Sequence, residues 1–278
     1  MATWLAEWFL PDGLRATPLL YVLAAMGAVF LTGFSKGGFG GGLGVISTPL
    51  LLLVLPGPVA VSMMLPLLIV CDFFTLRQFP THWDRPSFRW LATGAGLGLF
   101  AGFGILLLIG REGVDADRWI RLMVGVIALG FCLLQLARGL LVARAQRQAP
   151  VGRRTGWGMG LLAGVTTMVA HAAGPVANMF FLLRRLDRQT FVGTSARYFL
   201  LVNCVKIPFF VAASMLAERS YLTLDTLRWG LWLIPLCPLS VALGAWLNRR
   251  LDGAVFTRII YGLLFVTGLN MIVQAIRG

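Results

Sequence analysis

Charge is what this sequence has least of. Charged residues make up 13% of the 278 positions, against about 25% in a soluble domain, which excludes a fully solvated globular surface. Histidines number two and cysteines four. Cys71, Cys132, Cys204 and Cys237 each sit in apolar sequence without metal-ligand spacing, so they read as small buried hydrophobes, and no metal site is expected. His82 falls in a loop and His171 stands alone in an apolar region, which argues against a haem with two axial histidines. Neither paired catalytic carboxylates nor a base–nucleophile pair is visible, so neither an enzyme nor a cofactor is expected. Lysine is nearly missing: of 24 basic residues, 22 are arginines, and the lysines are Lys36 and Lys206 alone. The segment Met1 to Leu10 contains Glu7 and lacks a basic start and a small-residue cleavage site, so no cleavable signal peptide is expected.

What the chain does have is apolar sequence, 58% of it, with mean hydropathy +0.82. Long apolar runs recur from end to end, approximately at 18–31, 45–55, 58–76, 88–109, 119–142, 156–170, 175–183, 192–213, 227–247 and 255–276. About 20 such residues in a helix cross a hydrocarbon core. The expected fold is therefore an all-α polytopic membrane protein with about eight to ten membrane segments. The net charge of +13 belongs to arginines in short loops, where it marks topology and not nucleic-acid binding. Trp4, Trp8 and Phe9 in residues 1–17 suit an interfacial segment.

The chain divides into two halves that resemble each other. In the first, the short runs 18–31 and 45–55 flank a stretch from Gly33 to Gly44 rich in glycine. In the second, 156–170 and 175–183 flank His171-Ala172-Ala173-Gly174. A shift of 131 positions lays Val61 on Val192 and Asp72 on Asn203; a shift of 137 lays Arg121 on Arg258. The expected organisation is a first transmembrane repeat over 18–142, a basic linker over 143–155 and a second repeat over 156–278. If each half is a short pair plus three full spans, fourteen arginines fall on one side and seven on the other; if each pair is a single span, the split is twelve against nine. The positive-inside rule prefers the first. It makes the halves inverted repeats, with the linker cytoplasmic and both termini outside. Whether the short arms cross fully or re-enter is left open by parity.

Short broken membrane helices at matching places in two halves point to a transport site. Both lysines lie at membrane depth, where an ionisable group costs at least ~2.5–3.5 kcal/mol on insertion scales. Each either snorkels to an interface or neutralises an anion. Around Lys36, Ser35 offers a hydroxyl, and Gly40 and Gly41 permit positive φ and free backbone N–H groups. The alternative for these glycines is close helix packing. His171 is either a structural donor or a group that binds substrate or shuttles protons. Gly174, Pro175 and Asn178 open a helix whose first N–H groups suit an anion. Thr194, Ser195, Arg197, Asn203 and Lys206 form a polar series in one apolar run. Asp72, the one acidic residue well inside an apolar run, either bridges a lysine or carries a coupling proton.

The pattern Gly33-Phe34-Ser35-Lys36-Gly37-Gly38-Phe39-Gly40-Gly41-Gly42 followed by Pro49, with Gly174-Pro175 and the stretch Phe191 to Pro208, resembles the two repeat signatures of the sulfite exporter TauE/SafE family. The resemblance runs from about Val29 to Val273. It implies a bacterial inner-membrane permease, duplicated and usually given about eight spans, that moves small sulfur-containing or organic anions such as sulfite, sulfoacetate or other sulfonates. The reading it supports is a secondary transporter, in the exporting direction, working by alternating access. A passive anion channel and a non-transporting membrane enzyme are the alternatives. The expected partners are a small anion and the bilayer, with a homodimer open as an oligomeric state.

Overall fold

The computed structural model describes residues 10–11, 14–42, 44–111, 114–146, 151–216, 222–248, 250, 265–266, 269–270 and 272–277, the side chains of 135 and 138–146 excepted. Trp4, Trp8 and Phe9 of the interfacial segment expected over 1–17, residues 147–150 of the linker and the Arg258 match lie outside them. The described elements are helical. They are α1 (Pro18–Phe39), a 3-10 turn at Gly44–Ile46, α2 (Ser47–Leu52), α3 (Gly57–Gln78), α4 (Arg85–Ile109) and α5 (Ala116–Gln146). After the linker come α6 (Arg153–Ala170), α7 (Gly174–Leu183), α8 (Arg188–Leu216), α9 (Leu224–Leu231) and α10 (Leu236–Asn248). Among these, α1, α3, α4 and α8 are long and apolar enough to cross a membrane, and α9 with α10 makes a fifth span if the pair, bent by 56°, is counted as one.

Local sequence sets most helix ends. The Thr17 side chain accepts from the Leu20 N–H ahead of Pro18 at the start of α1, a cap that satisfies one orphan donor of the first turn. Asp84 does the same for α4 through the Ser87 N–H at 2.9 Å. Residues 227–247 were expected as one run, yet the helix breaks between Leu231 and Leu236. Pro235 and Pro238 explain the break, because proline removes an N–H and disfavours helical backbone before it.

The most extensive packings join the first half to the second: α4 lies along α6, α1 lies along α10, and α3 lies on α8. Glycines make the first two seams. A Cβ on Gly94 or Gly98 would strike the Trp157 or Leu161 carbonyl, and one on Gly160 or Gly164 would strike that of Leu91 or Ala95. On the other seam, a Cβ at Gly33 would meet the Ser240 hydroxyl, one at Gly37 the Val241 carbonyl, and one at Gly244 the Phe34 carbonyl. Without a hydrophobic drive between helices in lipid, such close backbone contact is what holds them. The stretch expected to break at Gly33 is therefore helical as far as Phe39, and among the described residues the break falls on Gly40, Gly41 and Gly42.

The end of the first short arm is held by a buried guanidinium. Arg121 donates to the Leu52 carbonyl (2.6 Å), the Leu55 carbonyl (3.2 Å), Gln274 Oε1 (2.9 Å) and Asp117 Oδ2 (2.7 Å). Asp117 Oδ1 accepts the Gly57 N–H at 2.6 Å, and Arg15 pairs with the same carboxylate at 3.0 Å. Partial burial alone would raise the Asp117 carboxyl; the hydrogen bonds from Arg121 and Gly57, with the two arginine charges, outweigh it and hold the group below its ordinary range.

Candidate functional site

The two helix breaks meet inside the bundle. α1 ends on Gly40 at φ 62° with Gly41 at φ 79°, and both N–H groups donate to the Ser35 carbonyl. α6 ends on His171 at φ 52°, a left-handed position unusual for a residue with a side chain. Gly40 and His171 are 131 apart, as are Gly57 and Arg188 at the starts of α3 and α8, the same offset that relates Asp72 to Asn203. The breaks cap each other: Asn178 of α7 donates to the Phe39 carbonyl at 3.0 Å, and Thr48 of α2 donates to the Ala170 carbonyl at 3.0 Å. Gly174 sits so close to the Gly41 carbonyl that a Cβ would collide with it. Helix ends at membrane depth need such partners, since no water is there to supply them.

Both lysines point inward. Lys36 is 5% exposed, Lys206 and Asp72 are 0% exposed, so neither ammonium snorkels to an interface. Lys36, in the last turn of α1 and not in the break itself, donates to Asp72 Oδ1 and lies 4.9 Å from the Phe199 ring centroid. The other carboxylate oxygen accepts from Asn203 Nδ2 at 2.7 Å. The positions matched by the 131 offset thus touch one another across α3 and α8.

Lys206 finds a different setting. Its ammonium donates to the Thr167 carbonyl and hydroxyl, both at 3.2 Å, and to His171 Nδ1 at 2.7 Å. His171 Nε2 lies 2.6 Å from the Val61 carbonyl, which can only accept. The proton is therefore on Nε2, and Nδ1 offers its lone pair to the lysine. The imidazole also stacks on Phe210 at 6.2 Å. Polar groups from α3, α6 and α8 converge here with no carboxylate paired to Lys206 among the described residues.

The rest of the expected series divides. Thr194 accepts the Asp84 N–H at 2.9 Å and donates to the Thr190 carbonyl at 2.6 Å. Arg197 donates to the Phe79, Pro80 and Gly193 carbonyls and lies 5.0 Å from the Trp83 ring centroid. Both side chains are thereby spent on the loop between α3 and α4, and the structure does not bring them to the lysines. Ser195 Oγ and Asn178 Oδ1 are buried without a hydrogen-bond partner beside the α1 break, and a Cβ on Gly40 would come within 2.8 Å of the serine oxygen. Ser35 is fully buried under the same turn.

Thr167 is the participant that inspection of the sequence missed. A threonine in an apolar helix is common, but this one lies 131 residues after Lys36, which could have marked it. Ser62, buried and without a hydrogen-bond partner, follows the residue whose carbonyl holds His171. Among the described residues no group of three or more histidine, cysteine or acidic side chains is placed to hold a metal ion.

No curated protein and no solved structure matches the chain. A family model described as Sulfite exporter TauE/SafE matches residues 25–271, which takes in both helix breaks, both lysines and the pairing of α3 with α8. With its membrane helices and charged interior, the chain belongs to the TauE/SafE family of membrane permeases.

Proposed function

We propose that this chain is a secondary transporter that exports a small anion, sulfite, a sulfonate or a related organic anion, by alternating access. The observation that carries the reading is the burial of two lysines beside mutually capped helix breaks, since ionisable groups at membrane depth mark solute pathways. The anion site is Lys206 with Thr167, His171 and Asn203, and Lys36 with Asp72 forms its neighbouring wall. Asp72 and His171 are the groups available to carry a coupling proton. The two halves move as inverted repeats about this centre, in a plasma-membrane protein whose basic linker is cytoplasmic; the exchanged helix packings and the shared 131-residue offset support this arrangement.

The near-complete exclusion of solvent from Lys36, Asp72 and Lys206 supports a closed intermediate over a continuously open pore. Counterflow in proteoliposomes tests the proposal. Purified protein should concentrate labelled sulfite or sulfonate against its gradient, and Lys36→Ala and Lys206→Ala should each abolish flux while eluting as folded protein. Normal flux in both variants overturns the site; flux that only runs downhill overturns the transporter in favour of a channel.

A further inference from the structure

We infer that the Lys206 site accepts singly charged anions and discriminates against doubly charged ones, and that Asp72 sets this limit by cancelling Lys36. The inference rests on the anion-transport reading above and deepens it.

The argument is a count of buried charge. Lys36 contributes one positive charge, and Asp72, with one oxygen on Lys36 and the other on Asn203, contributes one negative charge. These cancel. Lys206 and His171 together hold at most one positive charge, because Nε2–H is committed to the Val61 carbonyl and only one proton fits between Nζ and Nδ1. Thr167 supplies neutral oxygens only. Arg197 is engaged with the loop carbonyls. At most one positive charge is left over in an interior closed to solvent.

A monoanion brings the sum to zero. A dianion leaves one uncompensated negative charge in a dry interior, which is strongly unfavourable. The geometry offers a route to binding: Thr167 hydroxyl and His171 Nδ1 each occupy one N–H of Lys206, and an anion oxygen can replace either. Sulfite would then cross as hydrogensulfite.

Removing single charges moves the sum in opposite directions. Asp72→Asn leaves two positive charges and should shift preference towards dianions; Lys36→Gln leaves none and should weaken binding of every anion.

The test measures binding and counterflow of methanesulfonate, a monoanion, against sulfate and sulfoacetate, dianions near neutral pH, using the full chain in proteoliposomes. Wild type should favour the monoanion by at least about tenfold, and Asp72→Asn should reduce or reverse that ratio. Equal or better handling of dianions by the wild type overturns the inference while leaving anion transport standing, as does an unchanged ratio in a folded Asp72→Asn. If that variant does not fold, Lys36→Gln decides: undiminished binding of methanesulfonate by it overturns the inference. Failure of wild type to bind or move any of the three ions removes the anion-transport reading itself, and the inference with it.

Discussion

Lys36 and Lys206 are the only two lysines in the chain, both are buried beside a helix break, and their surroundings are opposite. Lys36 faces a carboxylate that is itself filled by Asn203. Lys206 faces a hydroxyl, a carbonyl and a neutral imidazole. The first is an internally settled ion pair. The second has neutral partners only, which under the proposed function an incoming anion would displace. Burial alone therefore does not identify a binding residue; what distinguishes the two is whether the counter-charge is already present in the protein.

The comparison breaks most readily on stability. Truncating one member of a buried ion pair leaves the other unpaired, at a cost of about 3–5 kcal/mol. Lys36→Met and Asp72→Leu should each lower the unfolding midpoint in detergent strongly, and the double variant should recover most of the loss. Lys206→Met strands no carboxylate and should unfold near the wild-type temperature while losing flux. If Lys206→Met proves the most destabilised of the set, the distinction between the two lysines fails.

A smaller effect is expected at the reciprocal caps. Asn178→Ala strands the Phe39 carbonyl and Thr48→Val strands that of Ala170, each at about 1–3 kcal/mol for an unsatisfied buried group. Comparable losses in the two variants, read by thermal unfolding, would match their like roles, and a loss in one alone would show that the breaks are supported differently.

The smallest effect is electrostatic and lies at the arm's outer end. The Asp117 carboxyl is held below its ordinary range, so its contribution to stability is fully present above the unfolded-state value, near 3.9, and is lost as pH falls through the lower folded-state value. Wild type should therefore lose more stability than Asp117→Asn on acidification below about pH 4, as measured by unfolding midpoint against pH. Parallel curves would contradict the role given to Asp117.

Much of this arrangement was legible because ionisable residues in apolar sequence are rare and cannot be neutral features. Lys36, Asp72, His171, Asn203 and Lys206 all announced themselves that way, and the 131-residue offset placed Asp72 opposite Asn203 before any contact was known. What was not legible depends on distance between segments far apart in the chain. Nothing in the composition says that Asp72 goes to Lys36 and not to Lys206, or that Thr167 matters more than Thr194. The glycines from Gly33 to Gly38 carried two readings, loop and close packing, and only the position of α10 decides for packing. Arg197 looked like a binding residue by charge and depth, yet its donors are taken up by loop carbonyls.

The central claim is that a lone positive charge at position 206 is what draws the anion, and chemical restoration of that charge tests it most directly. In a chain whose four native cysteines are replaced, Lys206→Cys should lose sulfonate counterflow. Alkylation with 2-bromoethylamine, which rebuilds an ammonium at nearly the same reach, should restore it, whereas a neutral alkylating reagent of similar size should not. Full flux in the unmodified Lys206→Cys chain, or no recovery after mass spectrometry confirms the aminoethyl group, would contradict the account.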